Sequence, residues 1–393
     1  MTTTINASNS GSGGLVQTAD ASGVLALQTA GVTAVTVDAS QNVTFAQAAN
    51  LPNTFGFKNR IINGAMVIDQ RNAGASVTPA NNQYLVDRWQ AAANVASKFS
   101  VQQSTTTATG FVNSMLATSL SAYSIGAAEL CALRQSIEGL NVGDLGWGTA
   151  NAQTVTVSFW VRSSLTGTFG GSIMNGAADR SYPFTYTIST ANTFEYKTVT
   201  IAGDTSGTWL KTNGIGLSIL FGLGVGTSFS GTAGAWAGAS YYGATGATSV
   251  VGTNGATFYV TGVQLEKGST ATSFDYRSYG TELGLCQRYF EKSYDTGTAV
   301  GTATDTGSVS TKSPQADMQD TIQFAVDKRA APTVTYYNSA TGASGSWRDV
   351  TNSVNKGMAN TTTAGTRQFT WQNSSGMTVG QVLRGHWISD SEL

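Results

Sequence analysis

The 393-residue chain carries one histidine, His386, and two cysteines, Cys131 and Cys286. A Ser-His-Asp triad needs a base oriented by a third group. His386 lies in "RGHWIS", a strand-like setting beside Trp387, and reads as structural. One histidine and two distant cysteines do not compose a zinc site. The glycine-rich "GTFGGS" lacks the Lys-Ser/Thr of a phosphate cradle. Glycosidic cleavage needs two carboxylates facing across the bond. Asp144, Asp179, Glu195 and Asp204 are candidates, yet no spacing marks a pair, and acidic residues of strand-turn chains are usually solvated. "DRW" (87–89) and "EYK" (195–197) read as structural ion pairs and packing. No catalytic residue, cofactor or metal is assigned, and no calcium loop is legible.

Aromatic rings are the stronger signal. Sugar rings stack their C–H faces on Trp and Tyr, and neutral polar groups bond the hydroxyls, so such a site needs little charge. "FSGTAGAWAGASYYGATGATSVVGTNG" (229–255) sets Trp236, Tyr241 and Tyr242 among small residues without strand alternation. Trp147, in "LGWGT", is a further candidate. The same rings suit a subunit interface or packing over a sheet edge, and the sequence leaves both readings open.

The elements that would position these rings are strands. Only 11% of residues are charged, against roughly 25% in an average soluble domain, and 46 are Gly, a balance that favours strand and turn. A net charge of −1 with no basic run argues against nucleic acid as a partner. No apolar stretch approaches the roughly 18 residues of a membrane span. "MTTTINASNSGSGG" has neither the basic start nor the apolar core of a secretory signal. Two cysteines are too few for a disulfide framework, and both read as buried thiols.

Residues 1–57 contain "VLALQT" (24–29), "VTAVTV" (32–37) and "NVTF" (42–45), strand-like stretches parted by turn residues. They lack the large apolar side chains for a core of their own, which predicts ordering against other copies or another protein. "NRIINGAMVIDQRNAG" and "NQYLVDRWQAA" read as strands. "VTVSFWVRSS" puts Val155, Val157, Phe159 and Val161 on one face. In "GIGLSILFGLGVG" Ile215, Leu217, Ile219, Phe221, Leu223 and Val225 alternate with a nearly bare face, to which something must come close unless it meets solvent. "ATFYVTGVQL" (256–265) is apolar on both faces and reads as a central strand. "TELGLCQRYFEKSY" spaces Leu283, Cys286 and Phe290 as a helix would, with Glu282 in the first turn and Lys292 in the last, predicting a helix over 281–293. Strands resume in "TIQFAVDKRAAPTVTYY" (321–337), and two more close the chain around a Ser-Gly turn.

"NRIINGAMVIDQRN…YLVDRW" (59–89), "LRQSIEGL" (133–140), "VTVSFWVRSS" and "FYVTGVQLEKGS" together resemble the strands of jelly-roll carbohydrate-binding modules. The block from 59 to 290, ending in "QLEKGSTATSFDYRSYGTELGLCQRYF", resembles a recurrent module of bacteriophage tail fibres. "FAVDKRAAPTVTYYN" and "GHWISDSEL" look like the terminal domain that often follows it, and "SGVLALQTAGVTAVTVDASQNVTF" is similar to the N-terminal segments of such fibres.

The resulting expectation is an all-β chain. A strand-rich attachment and oligomerisation segment (1–57) precedes a jelly-roll β-sandwich (58–278), a linking helix (279–295) and a smaller C-terminal β-sandwich (296–393). The resemblance implies a surface-exposed virion fibre, assembled in the bacterial cytoplasm. It would be a homotrimer, bound to other tail, neck or head proteins through its N-terminus, and adhering to bacterial surface polysaccharide without membrane insertion. A head or neck decoration protein without a receptor role and a polysaccharide-degrading tailspike are the alternatives.

Overall fold

The computed structural model describes residues 3–7, 15–18, 21–45, 57–313, 319–359, 363–373 and 377–393. The chain divides into two compact units, Met1–Thr54 and Phe55–Leu393.

The first unit is one five-stranded sheet in the order Leu15–Thr18, Thr3–Ala7, Leu25–Thr29, Val32–Val37, Val43–Phe45. Local chemistry sets its turns. Ala30 and Gly31 both take positive φ (52° and 77°), as a two-residue hairpin turn requires. The Asp38 carboxylate receives the amides of Ser40 and Asn42, closing the next turn. Burial is slight. Among residues 21–45 Ala26 alone is buried, whereas Leu27, Val32, Val43 and Phe45 are exposed. The three strand-like stretches read in this part of the sequence are strands, and no core forms around the described side chains.

The second unit contains two sandwiches. In the larger, jelly-roll-like one, an outer sheet runs Glu195–Ile201, Val155–Ser163, Thr257–Lys267, Ser114–Ser119, Phe99–Ser104. An inner sheet runs Ser181–Ile188, Gly167–Asn175, Ile215–Val225, Leu130–Glu138, Gln90–Ala93. Period-two alternation sends Val155, Val157, Phe159 and Val161 from one side, and Leu217, Ile219, Phe221 and Leu223 from the other, into one core where all eight are fully buried. Phe159 meets Phe221 edge-on at 5.0 Å. Each such side chain contributes about 1.5–3 kcal/mol on burial. The bare face of Ile215–Val225 is indeed closely approached: an added Cβ at Gly216 would stand 2.6 Å from Val142, and one at Gly224 2.5 Å from Val251.

Residues 59–76 depart from the strand expectation. They form a turn-rich plug, with Ile61, Asn63, Met66 and Ile68 all fully buried. The reason is the Asn63 side chain. Its Oδ1 accepts the Ile68 amide at 3.0 Å, and its Nδ2 donates to the carbonyls of Ile68 and Asp87, offering the backbone partners that a strand would otherwise supply.

The smaller sandwich is built on Val382–Asp390, which pairs with Phe290–Lys292, Val309–Lys312, Thr333–Asn338 and Ser346–Asp349. Its core holds Tyr336, Trp347, Phe369, Trp371, Leu383 and Trp387. Gly385 is required there, since a Cβ would lie 2.0 Å from the Trp347 ring, whose Nε1 donates to the His386 carbonyl. His386 is itself fully buried and stacked on Tyr294 at 3.6 Å. Its Nδ1 faces the Ser293 hydroxyl and its Nε2 the Thr304 carbonyl. The Ser-Gly turn expected between the last two strands lies outside the described residues.

The joint between the sandwiches corrects the helix expectation. The helix spans Tyr279–Gln287 only, and Phe290–Lys292 is a strand. Pairing of these three residues with Asp390, Ser389 and Ile388 competes successfully with helical bonding and buries Phe290. Cys286 and Tyr289 pack on Ile62 and Ile68 of the plug, while Glu282 accepts the Asn63 amide and Arg277. Glu138, buried in the larger sandwich, accepts Arg288 at 2.7 Å and the Tyr289 hydroxyl at 2.8 Å. Both cysteines are buried free thiols, and burial pushes Cys131 up to about 12.

Near this joint burial also raises Asp87 to about 6, although Gln70 donates two hydrogen bonds to it. Arg71 opposes that rise, and Asp69, also raised by burial, adds to it. Lys292 is lowered to about 8 by burial, which the nearby Asp87 and Asp69 carboxylates only partly offset. Between about pH 4 and 6 the folded state keeps the Asp87 proton that the unfolded chain has shed. Its stabilising contribution is therefore complete near pH 4 and disappears as pH rises through about 6, a change on the order of 2–3 kcal/mol. Depression of Lys292 acts in a separate window, between its ordinary range and about pH 8. Chemical denaturation across pH 4–7 should show the difference in stability between wild type and Asp87→Asn moving by this amount. A pH-independent difference would mean that Asp87 ionises normally.

Candidate functional site

The outward face of strand Val155–Ser163 reads Thr156, Ser158, Trp160, Arg162. Trp160 stands opposite Tyr196 in the register of the neighbouring strand. Their ring centroids are 5.4 Å apart with planes inclined at 47°, and Trp160 is half-buried while Tyr196 is 44% exposed. Together they form an aromatic floor, with Thr156 and Ser158 on one side of Trp160 along the same strand face and Arg162 on the other. Walls rise from two loops. Phe111, Phe274 and Tyr276 pack mutually at 4.9–5.5 Å, and the Tyr276 hydroxyl donates to the Gly110 carbonyl, tying one loop to the other. Floor and walls enclose a groove of about 620 Å³ with Ser158, Thr109, Thr272 and Ser273 at its polar positions and no charged side chain in its lining.

The local sequence explains this shape. Between Ser158 and Trp160 the pairing with Thr257–Lys267 shifts register at a bulge. Gly262 occupies it at φ 59°, and a Cβ there would fall 2.5 Å from the Phe111 ring. Glycine thus allows both the backbone conformation and the seating of one wall. The other wall is held from beneath. Buried Glu266 accepts the amide and hydroxyl of Thr272, and buried Gln264 accepts the Asp275 amide at 2.8 Å. Desolvation raises the Tyr276 phenol above its ordinary value.

The rings singled out in the sequence lie elsewhere. Trp147 is only 4% exposed, with its Nε1 donating to the Gln153 carbonyl, so it is a core residue and not an open ring. It meets Trp209 at 4.7 Å and Trp236 at 5.3 Å, both edge-on. Trp236 is half-buried in that cluster, also touching Tyr182, and donates to the Ala202 carbonyl. Tyr241 lies against Gly231 and Tyr242 edge-on to Phe229, both half-buried. Trp147 and Trp236 are therefore brought together by packing, and Tyr242 packs separately. Residues 229–255 form the expected loop, broken only by the short pair Ser230–Gly231 and Gly243–Ala244.

Each carboxylate considered for hydrolysis has a partner: Asp144 with Arg60, Glu195 with Lys197, Asp204 with Arg180, and Asp179 with the Asn175 amide. Arg88, as expected of "DRW", is held in a buried ion pair, with Glu392. Among the described residues no group of three His, Cys, Asp or Glu could hold a metal ion, and no helix is long and apolar enough to cross a membrane. A second hollow of about 450 Å³ lies at the joint, where Arg71 is already bound to Asp390 and Glu392.

No family model and no curated protein matches this sequence. Several solved structures do. One is a tailspike protein 4 enzymatically active domain from bacteriophage CBA120, at 12% identity and a TM-score of 0.29, covering 54% of this chain and 22% of that one. Another is a CBM4 module, at 14% identity and a TM-score of 0.29, covering 52% and 98%. A third is a family 11 carbohydrate-binding module from Clostridium thermocellum in complex with a mixed-linked tetrasaccharide, at 11% identity and a TM-score of 0.25, covering 50% and 97%. The chain thus spans about a fifth of the tailspike domain's length and nearly all of each module's. Likeness at this level leaves the groove's ligand to be read from its own residues.

Proposed function

We propose that this chain is a fibre protein of a tailed-phage virion that holds bacterial surface polysaccharide in the outer-sheet groove and does not cleave it. The observation that carries the reading is the Trp160–Tyr196 floor. A half-buried Trp160 and a 44% exposed Tyr196 line the groove, walled by three further rings and edged by hydroxyls, with no charge in the lining. An apolar plate with a few neutral hydrogen-bonding groups suits pyranose rings, which are apolar on their faces and polar at their rims. Trp236, Tyr241 and Tyr242, which keep part of their surface open, are a secondary contact region in this proposal. The virion role rests on the tail-fibre resemblance of residues 59–290. Exposed Leu27, Val32, Val43 and Phe45 support association of the N-terminal sheet with other copies, as a homotrimer, or with other virion proteins. Several weak sugar contacts become firm attachment when copies are held together.

The test is sedimentation of purified protein with intact host cells, with cells stripped of surface polysaccharide, and with free polysaccharide as competitor. Binding to intact cells only, abolished by competitor and without release of reducing ends, is expected. Equal binding to stripped cells would overturn glycan recognition, and release of reducing ends would make the protein a degrading tailspike.

A further inference from the structure

Two residues beyond Trp160 on the same outward face stands Arg162, about 7 Å along the strand. Its register partner is Tyr259, and its guanidinium carbon lies 4.9 Å from that ring's centroid and 5.9 Å from that of Phe194. Phe194 and Tyr259 meet each other edge-on at 6.1 Å. The guanidinium is thus set between aromatic rings, as the Trp160 floor is, and continues it.

Among the described residues no carboxylate pairs with Arg162. Its Nε is buried with no hydrogen-bond acceptor. The adjacent Glu195 is opposite Val161, on the other face of the sheet, and is occupied by Lys197 and the amides of Ser189 and Thr190. A planar cation resting on aromatic faces matches the two oxygens of a carboxylate.

We propose that the groove continues past Trp160 into an anion-reading subsite at Arg162, so that its ligand is a polysaccharide bearing carboxylates, of the uronic-acid class. A neutral sugar ring stacks on Trp160 and Tyr196, and the carboxylate of a neighbouring residue in the chain meets the guanidinium. This rests on the groove reading above and adds the ligand's charge to it. The uncharged lining around Trp160 and the cation beside it divide the work between stacking and charge recognition.

The experiment is affinity electrophoresis of the full chain in gels containing alginate, polygalacturonate or hyaluronate, each beside its carboxyl-reduced counterpart, at 0.15 M salt (about one Debye length of 8 Å). Wild type, Arg162→Gln, Arg162→Lys and Trp160→Ala are compared, with melting temperature as the folding control. The wild type should bind at least one uronate polymer about tenfold more tightly than its reduced form. Arg162→Gln should erase that preference while retaining weak binding to the reduced polymer, and Arg162→Lys, which keeps charge without the planar fork, should fall between. A preference undiminished in Arg162→Gln, or a wild type that favours the reduced polymers, would overturn the subsite and leave the groove standing. Failure of every polymer to retard the wild type, or wild-type retardation of Trp160→Ala, would overturn the groove and the subsite with it.

Discussion

Replacing Glu392 with alanine should destabilise the Phe55–Leu393 unit by roughly 3–5 kcal/mol. Glu392 pairs through one carboxylate oxygen with Arg88 and through the other with Arg71, at 3.2 Å. The Arg88 side chain is 1% exposed. Its Nη2 donates to the Ser136 carbonyl at 2.7 Å, and its guanidinium carbon sits 3.5 Å from the Tyr289 ring centroid. Arg88 thus joins three parts of the fold: the inner sheet, the joint and the closing residues. Its backbone, at φ 71°, adds local strain on the order of 1 kcal/mol that these contacts offset. Without Glu392 the buried Arg88 guanidinium loses the carboxylate that pairs with it among the described residues. Urea denaturation measures the loss. A cost below about 1 kcal/mol would mean that the pair is solvated and that the sandwiches are held by other contacts. Removing both charges together, in Arg88→Met with Glu392→Leu, should cost much less than Glu392→Ala alone, because no buried charge then has to be desolvated.

The second large effect concerns binding. Trp160→Ala should weaken polysaccharide binding by about thirtyfold, the scale of a central aromatic contact worth about 2 kcal/mol. Trp160 points away from the core, so the melting temperature should change little. Trp236→Ala should chiefly lower the melting temperature, with a smaller effect on binding, since that ring packs against Trp147, Trp209 and Tyr182 and its indole N–H is bonded to Ala202. Side-by-side binding and melting curves for the two variants read both expectations.

Strand identity was legible wherever burial imposed period two. Val155–Ser163, Ile215–Val225 and the central Thr257–Lys267 followed from alternation or from apolar character on both faces, because each packs directly on the core. The plug at 59–76 was not legible, since it depends on one asparagine replacing strand pairing with its own side-chain bonds. The helix was read six residues too far at its C-terminal end because helical spacing of Phe290 cannot reveal that a strand almost a hundred residues later would claim its backbone. The groove was missed for a related reason. Attention to the apolar face of "VTVSFWVRSS" passed over Trp160, the one ring on its polar face. Its partner Tyr196 comes from a distant segment, and pairing of distant strands is not local information. Two signals were present: a tryptophan among Thr and Ser on a solvent face, and Gly262 inside an apolar strand, which marks a bulge or a close approach. The loop at 229–255 was recognised as a loop, but small neighbours did not imply open rings. Trp147 and Trp236 found each other instead.

Where the sugar sits is the central question, and hydroxyl-radical footprinting of the full chain with and without saturating host polysaccharide answers it most directly. Oxidation of Trp160, Tyr196, Phe274 and Tyr276 should fall on binding, while that of Val32 and Leu140, exposed residues outside the groove, stays constant. Protection confined to Trp236, Tyr241 and Tyr242, with Trp160 and Tyr196 oxidised as in the free protein, would contradict the outer-sheet groove and place the ligand on the 229–255 loop.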